Sequence, residues 1–389
     1  MRSDRSAGHI VTFAETLNGG GVERVMLRLA RGWLAQRRCV TILIGTRGGP
    51  LEAEIPAGAR LIEIGRGGFP ALRPSRALLA RLDPDLLFCP GSHYTSTMLG
   101  CRLAGVRAPI VAKISNALAR RGWPALVAWG NRRWLRSQPC FIDHFVAMTP
   151  AMAAQAERAL GIGPQRLSVI ANPPVIAPAQ AGAALAVPLP AGPLLVGVGR
   201  LEPQKRWDRL IGAIPALAAR AVRLVIVGEG SARAMLEAQI AALGLSDRVV
   251  LAGYAADPSP WLRRATAAVL TSDFEGAPNV LREALALGTP VVATESGVAV
   301  REIVASPAQG SVVPLGDDAA LVAALDYWLA AGRARPEPVP PVGIDAPERY
   351  LALFDAMVQA QPAGLTRSGW AAAKPGSACA AASAATSLG

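Results

Sequence analysis

Short apolar runs rich in Val, Ile and Leu recur along the chain in two series, and this alternation limits the fold more than any other feature. The first series is His9–Phe13, Cys39–Ile44, Arg60–Ile64, Asp85–Cys89, Pro109–Ile114 and His144–Met148. The second is Leu194–Val198, Arg223–Val227, Arg248–Leu251, Ala267–Thr271, Pro290–Ala293 and Ser311–Val313. Stretches of helical character lie between them: Val22, Val25, Met26, Leu29 and Trp33 keep helical spacing directly behind Gly19-Gly20-Gly21. Runs that are apolar throughout, rather than at alternate positions, belong to strands buried on both faces, as in parallel sheets flanked by helices. Two such series predict an α/β chain of two doubly wound, Rossmann-like domains.

The boundary between them is legible. Asn172-Pro173-Pro174 opens a stretch of Pro, Ala and Gly that reaches Pro193 without a charge. This gives a first domain over residues 1–172, a linker over 173–192 and a second domain over 193–345. A closing helix is expected at 346–360, followed by an Ala/Ser-rich tail, 361–389, with little to bury and expected to be disordered. Five widely spaced cysteines without a C-x-x-C, and only three histidines, argue against a disulfide framework or a zinc finger. The N-terminus lacks a signal-peptide pattern, and no run approaches the ~20 apolar residues of a spanning helix. The expectation is a cytoplasmic protein that touches a membrane only from outside.

Ligands of open parallel sheets bind at the carboxyl ends of the strands, so the loops there carry the functional signal. The turn at Gly20 and Gly21 follows the first strand and opens a helix, where backbone amides can approach an anion. It is not a dinucleotide fingerprint, since G-x-G-x-x-G is absent, and no phosphate-binding G-x-x-x-x-G-K-[ST] occurs. Behind the first strand of the second half, Gly199-Arg200-Leu201-Glu202-Pro203-Gln204-Lys205 places a guanidinium and an ammonium five residues apart. In a chain with three lysines, that pair is equipped to clamp a diphosphate. Further on, Glu275-Gly276-Ala277-Pro278-Asn279-Val280-Leu281-Arg282-Glu283 follows an apolar strand. Pro278 suits a first helical turn, so Asn279, Val280 and Leu281 can offer free amides. Glu275 then stays on the loop, with Glu283 about one turn into the helix, so two carboxylates face one ligand at different depths.

The second half resembles the nucleotide-sugar domain of the retaining glycosyltransferases of family 4, which have the GT-B fold. The phrases GVGRLEPQKRWDRLIGA, LVIVGEGSARAML, VVLAGY, TSDFEGAPNVLREALALGTPVVAT and SGVAVREIV occur in the family's order, with Glu275 and Glu283 forming its E-x7-E pair. LNGGGVERVMLRLA and VIANPPV extend the resemblance over residues 9–360. It implies two Rossmann-like domains with the nucleotide-sugar site in the cleft between them. Arg200 and Lys205 correspond to the residues that bind the donor's pyrophosphate, and Glu283 to the acid on the ribose hydroxyls. Glu275 corresponds to the acid at the donor sugar. Gly20 and Gly21 correspond to the loop that contacts phosphate across the cleft. The activity implied is retaining transfer of a sugar, expected to be UDP-linked, to a glycan or polyprenyl-linked glycan in cell-surface polysaccharide assembly. No metal and no cofactor are expected, because protein cations can neutralise the leaving diphosphate and the nucleotide-sugar is itself a substrate. Sugar-nucleotide epimerases, phosphorylases and a non-catalytic nucleotide-sugar-binding module share the architecture and remain alternatives.

Many relatives carry a histidine where this chain has Lys113-Ile114-Ser115-Asn116. The Ser-Asn pair resembles capsule- and lipopolysaccharide-type members, in which Asn116 can contact the donor sugar. His93 is a candidate acceptor contact, with a solvated loop histidine as the alternative. Asp83-Pro84-Asp85 matches the D-x-D of metal-dependent transferases of another fold, but precedes its strand and suits a turn. Charge supplies a clue to the acceptor. Residues 1–180 hold 23 basic and 10 acidic residues, while residues 181–389 hold 17 and 18. Residues 86–142 have no acid, and Arg120, Arg121, Arg132, Arg133 and Arg136 are interleaved with Trp123, Trp129 and Trp134. Arg with Trp suits an anionic membrane surface, so this segment is expected to face the inner leaflet of a bacterial inner membrane. RNA binding and a plain interdomain surface are the alternatives, and no nucleic-acid partner is expected.

Overall fold

The computed structural model describes residues 6–65, 72, 74–119, 122–174 and 192–361. The predicted linker and tail, along with Arg120 and Arg121, lie largely or wholly outside the described residues. Two parallel sheets form. The first contains β1 (His9–Ala14), β2 (Cys39–Ile44), β3 (Arg60–Glu63), β4 (Leu86–Cys89), β5 (Ile110–Lys113), β6 (His144–Ala147) and β7 (Leu167–Val169) in the order β3-β2-β1-β4-β5-β6-β7. The second contains β8 (Leu194–Val198), β9 (Arg223–Val227), β10 (Val249–Gly253), β11 (Ala267–Leu270), β12 (Val291–Thr294) and β13 (Gly310–Val313) in the order β10-β9-β8-β11-β12-β13. Both are doubly wound. Strand order reverses between β1 and β4 in one sheet and between β8 and β11 in the other, and these reversals open a crevice at the strand ends.

One strand had no counterpart in the sequence reading. β7 is the three-residue Leu-Ser-Val, half-buried at the sheet edge and paired with β6, too short to register as an apolar run. The central strands are apolar because helices cover both faces. The Gly21–Ala35 helix buries Val25, Met26, Leu29 and Trp33 as its spacing predicts.

The chain crosses between the domains twice. After the second sheet it returns to the first domain, where the Ala346–Gln359 helix packs against the Gly21–Ala35 helix. Trp33 stands edge-on to Phe88 and Phe354, each at 5.3 Å between ring centroids, and Phe88 meets Tyr350 at the same distance. Asp355 then receives Arg38 Nη2 at 2.7 Å and the Ala7 amide at 2.7 Å. Such aromatic pairs add ~0.5–1.5 kcal/mol each beyond their area, so the last helix is fastened to the first domain rather than to the one it follows. Among the described residues, no helix is long and apolar enough to cross a membrane.

Candidate active site

The loops at the two strand-order reversals line one cavity of about 260 Å³ between the domains. From the second domain come Arg200, Lys205, Glu275, Asn279, Val280 and Glu283; from the first come Gly21, His93, Lys113 and Asn116. The topology thus brings most of the sequence-predicted residues to one place.

The loop behind β8 is held from below. Trp207 is buried, and its Nε1 donates to the Arg200 carbonyl at 3.0 Å. The Thr271 hydroxyl donates to the Lys205 carbonyl at 3.0 Å. Lys205 Nζ donates to Glu275 Oε1 at 2.6 Å, and Ser272 Oγ donates to the same oxygen at 2.7 Å. Glu275 is therefore fixed on two sides before any ligand arrives. Arg200, by contrast, is exposed.

Pro278 caps the Asn279–Ala286 helix, one position earlier than a first-turn proline. The amides of Asn279 and Val280 sit in the first turn, where no helical carbonyl precedes them, and favour an anion. Leu281 must be withdrawn from this set. Its amide already donates to the Pro278 carbonyl at 3.3 Å and its side chain is in the core. Glu283 lies in the wall of the cavity, and burial raises its carboxyl pKa above the ordinary value. Arg28 and Arg24, on the first domain's Gly21–Ala35 helix, oppose that shift from across the cleft.

The glycine turn contributes through Gly19 and Gly21, not Gly20. Gly20 is the cap of the first helix, and a Cβ there would stand 1.9 Å from Glu23 Oε2. Glu23 Oε1 accepts the Tyr94 hydroxyl at 2.8 Å and lies 3.6 Å from His93 Nε2. Burial pushes the Glu23 pKa up, but the His93 ring and the Tyr94 hydroxyl outweigh it and hold the carboxyl below its ordinary value. His93 is an exposed residue at the cavity wall, its ring beside Glu23. Asn116 closes on its own loop, its Oδ1 accepting the Ala117 amide at 2.9 Å.

The two domains touch beside these groups. A Cβ on Gly276 would lie 2.4 Å from the Ser115 carbonyl oxygen, so only glycine lets the loop behind β11 approach the loop behind β5. Tyr254 of the second domain donates to Glu54 Oε1 at 2.9 Å and accepts from Arg24, both on the first.

Residues 19–173 match Glycosyltransferase Family 4, and residues 192–331 match Glycosyl transferases group 1. The chain belongs to these glycosyltransferases. It is 30% identical over 187 residues to the lipopolysaccharide 1,6-galactosyltransferase of Salmonella typhimurium, covering 45% of this chain and 49% of that protein. It is 34% identical over 149 residues to the lipopolysaccharide core biosynthesis mannosyltransferase LpcC of Rhizobium leguminosarum, covering 36% and 42%. The chain thus spans under half the length of the curated relatives it matches. In fold it is similar to Anabaena HepE, solved with UDP and glucose, with a TM-score of 0.65 at 19% identity over 90% of this chain and 98% of that one.

The sequence reading of the glycosyltransferase missed three cations at the site. Arg24 and Arg28 line the cavity from the helix behind the glycine turn. Their four-residue spacing, opposite the buried Val25, Met26 and Leu29, was the available signal. Lys113 is 2% exposed at the end of β5, where its Nζ donates to Asn172 Oδ1 at 3.2 Å; burial pushes its pKa down to about 7. Asn172 in turn donates to Asn279 Oδ1 at 2.9 Å, which links the first sheet through the interdomain crossing to the Asn279–Ala286 helix.

The basic segment divides. The Ala125–Ser137 helix buries only Leu135 and leaves Leu126 77% and Trp129 53% exposed, with Arg132 and Arg133 beside them. Arg133 lies over the Trp129 ring at 5.6 Å. Arg136 is exposed as well, and its Nη2 donates to the Arg158 carbonyl at 3.1 Å, which ties the helix to its neighbour. Trp123 is reassigned, being half-buried in the wall of a second cavity. Asp85 accepts the His9 amide at 2.8 Å, at the amino ends of β1 and β4 and away from the ligand side.

Proposed function

We propose that the chain transfers a sugar from a UDP-linked donor to a glycan acceptor, with retention and without a metal. The observation that carries this reading is the split of charge around one cavity. Arg200, Lys205 and the first-turn amides of Asn279 and Val280 offer positive potential to a diphosphate, and the carboxyl groups of Glu275 and Glu283 line the same cavity. A nucleoside diphosphate sugar has that pattern, with hydroxyl-rich rings flanking two phosphates. Glu283 accepts ribose hydroxyls, and Glu275, held by Lys205 and Ser272, orients the sugar and stabilises positive charge on its reacting carbon.

In the transfer, the bond from that carbon to the diphosphate oxygen breaks. The acceptor oxygen bonds to the carbon, and the acceptor proton passes to the departing phosphate. Negative charge grows on the leaving group, so preorganised cations and amides lower the barrier. Closure of the domains brings donor and acceptor together and excludes water. A UDP donor is supported by the related fold solved with UDP and glucose, and a lipopolysaccharide-type acceptor by the relatives' activities. The outward apolar and basic residues of the Ala125–Ser137 helix support docking on an anionic inner leaflet, where a lipid-linked acceptor is presented.

Thermal shift with UDP-, GDP- and ADP-sugars tests the donor. A ligand at 100 times its Kd stabilises by ~2.7 kcal/mol, so a UDP-sugar should raise the Tm where the others do not. No shift with any nucleotide-sugar would overturn the reading.

A further inference from the structure

The first domain brings the cations Arg24, Arg28 and Lys113 to the donor cavity. Two of them are already engaged. Arg24 pairs with Glu54 at 3.4 Å and donates to the Tyr254 hydroxyl, while Lys113 donates to Asn172. The half-buried Arg28 makes no side-chain hydrogen bond or ion pair among the described residues. Neither does Glu283, which lines the same cavity from the second domain. The two are close enough to influence each other. Burial lowers the Arg28 pKa and raises that of Glu283, and in each case the other group opposes the shift.

A guanidinium and a carboxyl that face one cavity without pairing are placed to be satisfied by a ligand. The group between them must accept a bond from Arg28 and donate one to Glu283. A hydroxyl does both. A phosphate oxygen would suit Arg28 but has no proton to give Glu283. Position agrees with a hydroxyl beyond the phosphates. Gly21 lines the cavity at the start of its helix, and Arg28 lies two turns, ~10 Å, further along the axis. We propose that Arg28 reads the donor's ribose: its guanidinium donates to a ribose hydroxyl that in turn donates to Glu283. The inference rests on the donor reading and adds to it a specificity residue on the first domain. The long arginine stem can follow a shift of a methyl's width between the domains, so the contact does not depend on exact closure.

Calorimetric titration of UDP, 2′-deoxy-UDP and 3′-deoxy-UDP tests it. The wild type should bind UDP at least about tenfold tighter than one of the deoxy analogues, because the missing hydroxyl leaves both groups unpaired. In Arg28→Met and Arg28→Leu that ratio should fall to about threefold or less. The discriminated analogue itself should bind wild type and variants alike, which also shows that the variants are folded. Unchanged UDP affinity in both variants overturns this inference. So does equal weakening of UDP and both analogues, which would put Arg28 on a phosphate. In either case the donor reading stands. UDP and both analogues bound equally by the wild type would overturn the inference together with the ribose role of Glu283. Failure of UDP to bind the wild type would instead bring down the donor reading itself.

Discussion

Lys205 and Glu275 hold each other at 2.6 Å in a half-buried setting, and both line the cavity. Removing the ammonium leaves a carboxylate unpaired where negative charge must accumulate. Lys205→Ala should therefore weaken UDP binding and turnover by about 10- to 100-fold, since a charge-assisted bond contributes ~1.5–3 kcal/mol. Arg200→Lys should also reduce turnover, because an ammonium cannot make two parallel bonds to a phosphate. Steady-state kinetics with a UDP-sugar read both, and wild-type rates in both would refute the clamp. Lys113 gives a prediction in stability. Unfolded, it titrates near its ordinary ~10.4, and in the fold near 7. Between those values the unfolded chain holds a proton that the folded chain has lost, so stability rises with pH across that window. Lys113→Met should flatten the rise and add ~1–3 kcal/mol of stability at pH 6; denaturant melts at pH 6 and 9 check it. The residues legible in sequence were those in loops at strand ends, where position alone implies a ligand. Lys113, Arg24 and Arg28 were not, because on a strand or helix the facing direction follows from tertiary packing. Gly20 and Leu281 were misplaced by one or two residues for the same reason: a motif marks a loop, and capping geometry decides which of its atoms are free.

The Ala125–Ser137 helix belongs to the scale of elements. Its exposed Leu126, Val127 and Trp129 adjoin Arg132 and Arg133, a surface with apolar and cationic parts side by side. Each basic residue near an anionic surface adds ~1 kcal/mol, so Arg132→Ser with Arg133→Ser should weaken vesicle binding by about 30-fold. Arg136→Ser should change it little, since that guanidinium is committed to the Arg158 carbonyl. Co-sedimentation with anionic vesicles measures this, and binding should also fall at 1 M salt, where the Debye length shrinks to ~3 Å. Equal sedimentation of the double variant and the wild type at low salt would return the helix to a plain surface role. Elements were largely legible here. Apolar runs marked twelve strands, because burial on both faces leaves a continuous signal. The edge strand β7 escaped, since exposure on one side and a length of three leave none. For the Ala346–Gln359 helix, amphipathic spacing showed that one face is buried but not that Trp33 and Phe88 of the first domain bury it.

Across the molecule, the proposed transfer needs two domains meeting over a donor held mainly by one of them. Gly276 is a point of close approach in that meeting. Gly276→Ala places a methyl group against the Ser115 carbonyl and must push the domains apart. Overpacking of this kind costs ~1–3 kcal/mol. The expected result is kcat lowered by about 10- to 100-fold with UDP affinity little changed, because Arg200, Lys205 and the Asn279 and Val280 amides lie on the second domain. Joint loss of kcat and UDP affinity would show that the donor site itself depends on closure. In the proposed donor site, protein cations and helix amides hold a nucleoside diphosphate in this cleft without a metal. Calorimetric titration of UDP in EDTA, with the wild type and Lys205→Ala side by side, tests it most directly. The account predicts one UDP bound per wild-type chain with the same affinity in EDTA as in magnesium, and binding at least about tenfold weaker in the variant. Binding that vanishes in EDTA and returns with magnesium, or equal affinity in the two proteins, would contradict it.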